Sequence, residues 1–276
     1  MLTDASYGKA AVRLVRVARG ERHRIRDLTV EVRFAGRYEA SYQGDNRAVL
    51  PTDTMKNTVY ALARSRQWEE PETLALALAE HFLAGNSELE RVQLDMVEHL
   101  WEPLPAADGP RPHAFRAIGP EERLVRVTAA RGEPAVEGGL RGLRLLRTTG
   151  SEFADFRRDA LTTLEDAEDR ILATRVTAWW RPIPTGAPFG EVWSRARQAL
   201  LDGFADHPSR SVQHTLRVMG EALLAACPEV AEVSLELPNE HHLPVDLGRF
   251  GLDNPGAVFV APSQPYGVIR GTVRRS

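Results

Sequence analysis

LTVEVRF, residues 28–34, sets Leu28, Val30, Val32 and Phe34 against Thr29, Glu31 and Arg33. Apolar and polar side chains alternate with a period of two, the pattern of a sheet with one wet face. The stretch before it, AAVRLVRVA (10–18), is strand-like as well, with a turn around Gly20. After it, TDTMKNTVYALA (52–63) reads as a helix that Asp53 or Thr54 can cap, with Val59 and Leu62 on its apolar face. PETLALALAEHFLAGN (71–86) reads as a second helix, with Pro71 at its start, acids in its first turn and Gly85-Asn86 at its end. Strand signals return in ERVQLDMVEHLW (90–101) and, past a Pro/Gly-rich connection, in HAFRAI and ERLVRVTAA.

RGEPAVEGGLRG (131–142) is the best candidate for a linker or a hairpin region. Beyond it the pattern resumes. LRLLRT (143–148) and ILATRVTAWW (171–180) are strand-like, and EDAEDR (165–170) is helix-like. PFGEVWSRARQALLDGFA (188–205) and SVQHTLRVMGEALLAAC (211–227) have helical spacing, the second with Ser211 as its cap. EVSLELP (232–238), AVFVAP and YGVIRGTV close the chain as strands. The two halves rhyme: each places a polar helix start before a helix and then an alternating strand ending in Glu-His. The expectation is a pseudo-repeat of about 135 residues, α+β in class, each unit an antiparallel sheet with helices on one face. The units are expected at 1–138 and 139–276.

Composition narrows the function. A chain of 276 residues with 43% apolar side chains is long enough to bury a sizeable core. A net charge of −3 gives no reason to expect a nucleic-acid or membrane partner. The basic run RGERHRIR (19–26) lies between two strands and reads as a solvated turn. Cys227 is the only cysteine, so no internal disulfide forms, and its apolar setting makes it a buried inert thiol. No apolar run is long enough to span a bilayer, the first residues lack a signal peptide's regions, and the last are not the Ser-Lys-Leu address. A cytoplasmic protein is the expectation.

Of the 35 basic residues only Lys9 and Lys56 are lysines. Arginine holds its proton under all ordinary conditions, whereas a lysine amine releases one where its surroundings favour that. The two lysines therefore mark candidates for work that needs a titratable amine. The eight histidines, 23, 81, 99, 113, 207, 214, 241 and 242, include no HExxH pattern and no short His-x-His, so no dedicated metal site is expected. Nucleotide-binding glycine loops are absent too. The polar clusters that remain have ordinary structural explanations when taken singly. Thr52, Asp53 and Ser211 serve as caps, Phe153 and Phe156 as core at i, i+3 spacing, Asp169-Arg170 as a surface pair and Asn239 as a turn residue.

Together they carry a resemblance. YGKAAVRLVRV, DLTVEVRF, SYQGDN, TDTMKNTVYALA, TTGSEFADFRRD, TTLEDAEDRILAT, SVQHTL and LPNEHH are similar, in order and spacing, to urate oxidase, the cofactor-independent uricase. The resemblance runs from residue 7 to about residue 245. It implies two tandem tunnelling-fold units per chain, homotetramers around a central tunnel, and active sites at subunit interfaces. It implies oxidation of urate by dioxygen and water to 5-hydroxyisourate and hydrogen peroxide, with no metal and no cofactor.

Residue by residue, the resemblance implies that Phe153 stacks on the purine while Arg170 and Gln213 grip its polar edge. Backbone groups of Asp53 and Val212 would bind the other ring positions. Thr52 would touch the ring and link to Lys9 of the same neighbouring chain, Asn239 would face dioxygen, and His241 would complete a Lys-Thr-His proton relay. Two rivals remain at this stage. One is another tunnelling-fold enzyme acting on a pterin or purine, which mostly needs a His- or Cys-bound zinc. The other is a purine-binding scaffold that has lost catalysis.

Overall fold

The computed structural model describes residues 5–107 and 109–275. The chain divides into two compact units. The first comprises Met1–Leu140 and Trp180–Trp193, the second Arg141–Trp179 and Ser194–Ser276.

In the first unit, β1 (Ser6–Ala18), β2 (Arg24–Gly36), β3 (Leu89–Pro103) and β4 (Phe115–Ala129) pair antiparallel in that order. HAFRAI with ERLVRVTAA forms one strand, β4, as the sequence suggests. Helices α1 (Thr52–Ser65) and α2 (Pro71–Gly85) pack against this sheet, α1 on β1 and α2 on β3 and β4. The alternation in β2 does what its period requires. Leu28, Val30, Val32 and Phe34 are buried, and Phe34 meets Phe82 of α2 edge-on at 5.0 Å. Met55, Val59 and Leu62 of α1 complete the apolar layer. Each such side chain contributes roughly 1.5–3 kcal/mol by leaving water.

The solvated turn at 19–23 is as expected, but the arginines beyond it are engaged. Arg26 bridges Glu70 at 3.0 Å and Glu98 at 2.7 Å. Arg123, buried on β4, holds Glu72 at 2.8 Å and Glu70 at 2.7 Å. A buried guanidinium is tolerable only with such partners. Of the two readings of the 131–142 segment the hairpin holds and the linker does not: residues 130–134 turn the chain directly into β5 (Ala135–Arg147), the neighbour of β4 in the strand order.

In the second unit, β7 (Glu232–Asn239) pairs antiparallel with the last strand, Gly267–Arg274. α4 (Val212–Ala226) packs on both, burying Leu216, Met219 and Leu223 against a strand face built from Val233, Leu235 and Leu237. α3 (Phe189–Ala205) approaches α4 closely at Gly203, where an added Cβ would come within 2.9 Å of the Met219 Cα. β6 (Leu172–Ile183) is the neighbour of β7 in the strand order. Cys227 is buried at the C-terminus of α4, and burial pushes its thiol pKa up. The expected helix at 165–170 does not form. That stretch is a loop whose Ala167 pairs with Phe153 in an isolated antiparallel bridge. The α+β expectation, antiparallel strands with helices on one face, holds in each unit. Among the described residues no helix is long and apolar enough to cross a membrane.

Candidate active site

The first unit carries Lys9, Thr52 and Asp53. Lys9 lies on β1 opposite Val32, immediately before a bulge at which Ala10 and Ala11 face the single residue Glu31. Ala11 takes a positive φ of 56° to make it. A bulge re-aims the side chain beside it, and such irregularities cluster at functional sites. Gly8 is required next to it, since an added Cβ would sit 1.9 Å from the Val32 carbonyl oxygen. The neighbouring Tyr7 hydroxyl accepts the Leu50 amide at 3.1 Å, tying β1 to the loop that enters α1.

Thr52 is the first residue of α1, and Pro51 is the cap residue, so neither Asp53 nor Thr54 caps the helix. Asp53 instead accepts from Lys56 Nζ at 2.5 Å and from Asn57 Nδ2 at 2.9 Å. Those contacts, with the Lys9 charge as a smaller influence, hold its carboxyl below the ordinary range. Lys9 is therefore close enough to this helix start to be felt there. The carboxylate also offsets the unfavourable cation at a helix N-terminus.

The second unit carries the rest. Phe153 is half-buried, bridged to Ala167 by hydrogen bonds of 2.8 and 2.9 Å. The Arg170 amide donates to the Ser151 carbonyl at 2.7 Å, which brings its guanidinium to 5.3 Å from the Phe153 ring centre. Asp169 forms no ion pair with the Arg170 guanidinium. It accepts from the Thr149 hydroxyl at 2.6 Å and the Ser151 amide at 3.1 Å, and these bonds depress its pKa. Arg170 is left half-buried, with its Nε lacking a partner and burial alone lowering its pKa. A desolvated guanidinium without a carboxylate beside a half-buried aromatic face suits a flat anion.

The start of α4 is fastened to the same loop. The Glu152 amide donates to the Ser209 carbonyl at 2.8 Å, and the Ser209 amide to the Gly150 carbonyl at 2.9 Å. Inside, Thr215 Oγ1 donates to Ser209 Oγ at 2.8 Å and meets His207 Nε2 at 3.1 Å. Ser211 caps α4 as expected, its hydroxyl accepting the His214 amide at 3.0 Å. Val212 and Gln213 thus open a fixed helix, where amides have no partner within the helix and favour an anion. Gln213 is exposed.

Asn239 ends β7 opposite Gly267, and His241 follows in a loop. The Glu240 amide between them donates to the Ala173 carbonyl at 2.9 Å, anchoring the loop beside the strand that follows Arg170. The Glu240 carboxylate is held by Arg144 at 2.8 Å and Arg175 at 3.2 Å. His241 lines a pocket of about 360 Å³ with those residues.

The chain therefore sets Arg170 beside Phe153, fastens the segment before Val212 and Gln213 to the loop that leads into Phe153, anchors Asn239 and His241 beside the start of β6, and gathers Lys9, Thr52 and Asp53 in the other unit. The clamp of Asp169 and the Ser209–Thr215 junction are new. Nothing in the sequence marks Ser209 as the partner of a loop far from it. Among the described residues no group of three or more His, Cys, Asp or Glu side chains is placed to hold a metal ion.

The family model of uricase matches residues 5–128 and 136–270. Curated uricases share 41% identity in Arthrobacter globiformis, across 100% of this chain and 90% of that protein, and 36% in Dictyostelium discoideum, across 100% and 98%. The crystal structure of uricase from Arthrobacter globiformis superposes with a TM-score of 0.95 at 41% identity, covering 100% of this chain and 95% of that one. A urate oxidase from Bacillus sp. TB-90, at 24% identity and a TM-score of 0.87 over 98% of this chain and 100% of its own, shares the fold.

Proposed function

The chain belongs to the uricase family and is a urate oxidase, and from that premise we propose how its residues divide the work. Urate and dioxygen are the substrates. Water enters, and the products are 5-hydroxyisourate and hydrogen peroxide. Urate gives up two electrons, dioxygen takes them with two protons, and a hydroxyl from water joins the purine.

Phe153 supplies a flat apolar face for the ring. Arg170 donates two hydrogen bonds to acceptors along one edge, and Gln213 supplies both a donor and an acceptor. The single observation that carries this reading is the half-buried Arg170 guanidinium, unpaired at Nε and set by the Phe153 ring. The amide of Val212 and backbone groups of Asp53 bind the remaining positions. Deprotonated urate is electron-rich enough to pass an electron to dioxygen, so the protein's task is holding the anion, placing the gas and moving protons. Asn239 faces dioxygen and then water. Lys9, Thr52 and His241 carry protons, with Thr52 in contact with the ring. No cofactor takes part in this scheme.

Lys9, Thr52 and Asp53 come from a second copy of the chain, so sites lie at subunit interfaces, and the working form is, by likeness to the family, a homotetramer. The catalytic test uses purified protein dialysed against a chelator. Urate absorbance should fall with equimolar oxygen uptake and peroxide release. Stable urate binding without turnover would instead favour a silent scaffold, and activity lost to the chelator would refute the cofactor-free scheme.

A further inference from the structure

Phe156 has no place in the scheme above, yet its ring lies parallel to that of Phe153, at 4.9 Å between centres and 11° between planes. The chain has to reverse to achieve this. Asp155 between them adopts a positive φ of 56°, a conformation that costs a non-glycine residue energy and that Asp tolerates better than most. Each ring of the pair has a guanidinium near it. Arg158 lies over Phe156 at 4.6 Å from its centre, and Arg170 lies over Phe153 at 5.3 Å. Arg158 is itself anchored, donating to the Leu164 carbonyl at 2.7 Å and pairing with Asp166 at 3.1 Å.

The parallel stack gives one face of the Phe153 ring to Phe156. The opposite face is the one left for a ligand, with the half-buried Arg170 guanidinium and its free Nε 5.3 Å from the ring centre. We infer that Phe156 is a positioning residue for the purine, a fixed back plate that holds the Phe153 ring flat while urate stacks on its opposite face. Without the plate, Phe153 gains torsional freedom that urate must remove on binding, and affinity falls. The inference rests on the reading of Phe153 as the stacking platform.

The test measures urate binding to the full-length protein in the absence of oxygen, then the rate on admitting oxygen to the saturated protein. Phe156→Leu keeps apolar volume and loses the flat partner. Its Kd for urate should rise about threefold to tenfold, the worth of one aromatic pair. The rate at saturation should change less than the affinity. Phe156→Tyr should restore affinity, which separates a flat partner from mere filling of space and covers the case of a misfolded Leu variant. Unchanged affinity in Phe156→Leu overturns the inference. So does tighter binding, which would put Phe156 on the substrate's face as a lid. Phe153→Leu run alongside separates the two levels. If it leaves affinity intact, the platform reading itself fails. If it weakens binding while Phe156→Leu does not, only the back plate is lost.

Discussion

Lys9 and Lys56 differ in what holds them. Lys56 is paired with Asp53 across one helical turn at 2.5 Å, which raises its pKa and steadies the segment that presents Thr52. Lys9 sits half-buried before a bulge and, among the described residues, has no ion pair of that kind. An arginine at position 9 would keep the charge and forfeit the ability to exchange a proton at ordinary pH. Lys9→Arg should therefore lose most of kcat, by about a hundredfold or more, the usual range for a general acid–base group. Steady-state kinetics checks this, and near-normal turnover would remove Lys9 from the proton relay. Scarcity of lysine marks both positions in the sequence. It did not separate their roles, because the separation depends on a bulge and an ion pair.

Elements place these side chains, and the site depends on how they begin and end. α4 starts at Val212 because Ser211 accepts the His214 amide, so the helix end proposed to meet urate is also the end that needs a cap. Ser211→Ala should cost about 1 kcal/mol of stability and raise KM for urate, while leaving kcat less affected. Thermal unfolding and kinetics on one preparation would show both. A normal KM despite the lowered stability would mean that the first turn of α4 does not hold substrate.

The strands and helices were legible in the sequence because their period is local: LTVEVRF and PETLALALAEHFLAG declare themselves without tertiary help. The loop at 165–170 was misread as helix. Its charged residues suit a helix, but its backbone pairs through Ala167 with Phe153, a contact that no local pattern reveals. The start of α1 was misread in a similar way. Asp53 looks like a cap, yet Lys56 and Asn57 claim its carboxylate and Pro51 takes the cap position.

At the scale of the molecule, each unit carries part of the proposed machinery. The proton-handling lysine and threonine are in the first, and the aromatic platform, the guanidinium and the loop with Asn239 and His241 are in the second. The motifs for both parts are readable as a resemblance, since residue order survives in sequence, but the proposed assembly from several chains leaves no mark in that order. If one site draws on two copies, damage to different parts is complementary in a symmetric oligomer. The direct measurement takes two full-length variants, Lys9→Met and Arg170→Ala, each inactive alone, and assays urate oxidation after their subunits have been mixed. The account predicts activity well above that of either parent, because some interfaces join an intact Lys9 to an intact Arg170. Verified mixed oligomers with no more activity than the parents would contradict it.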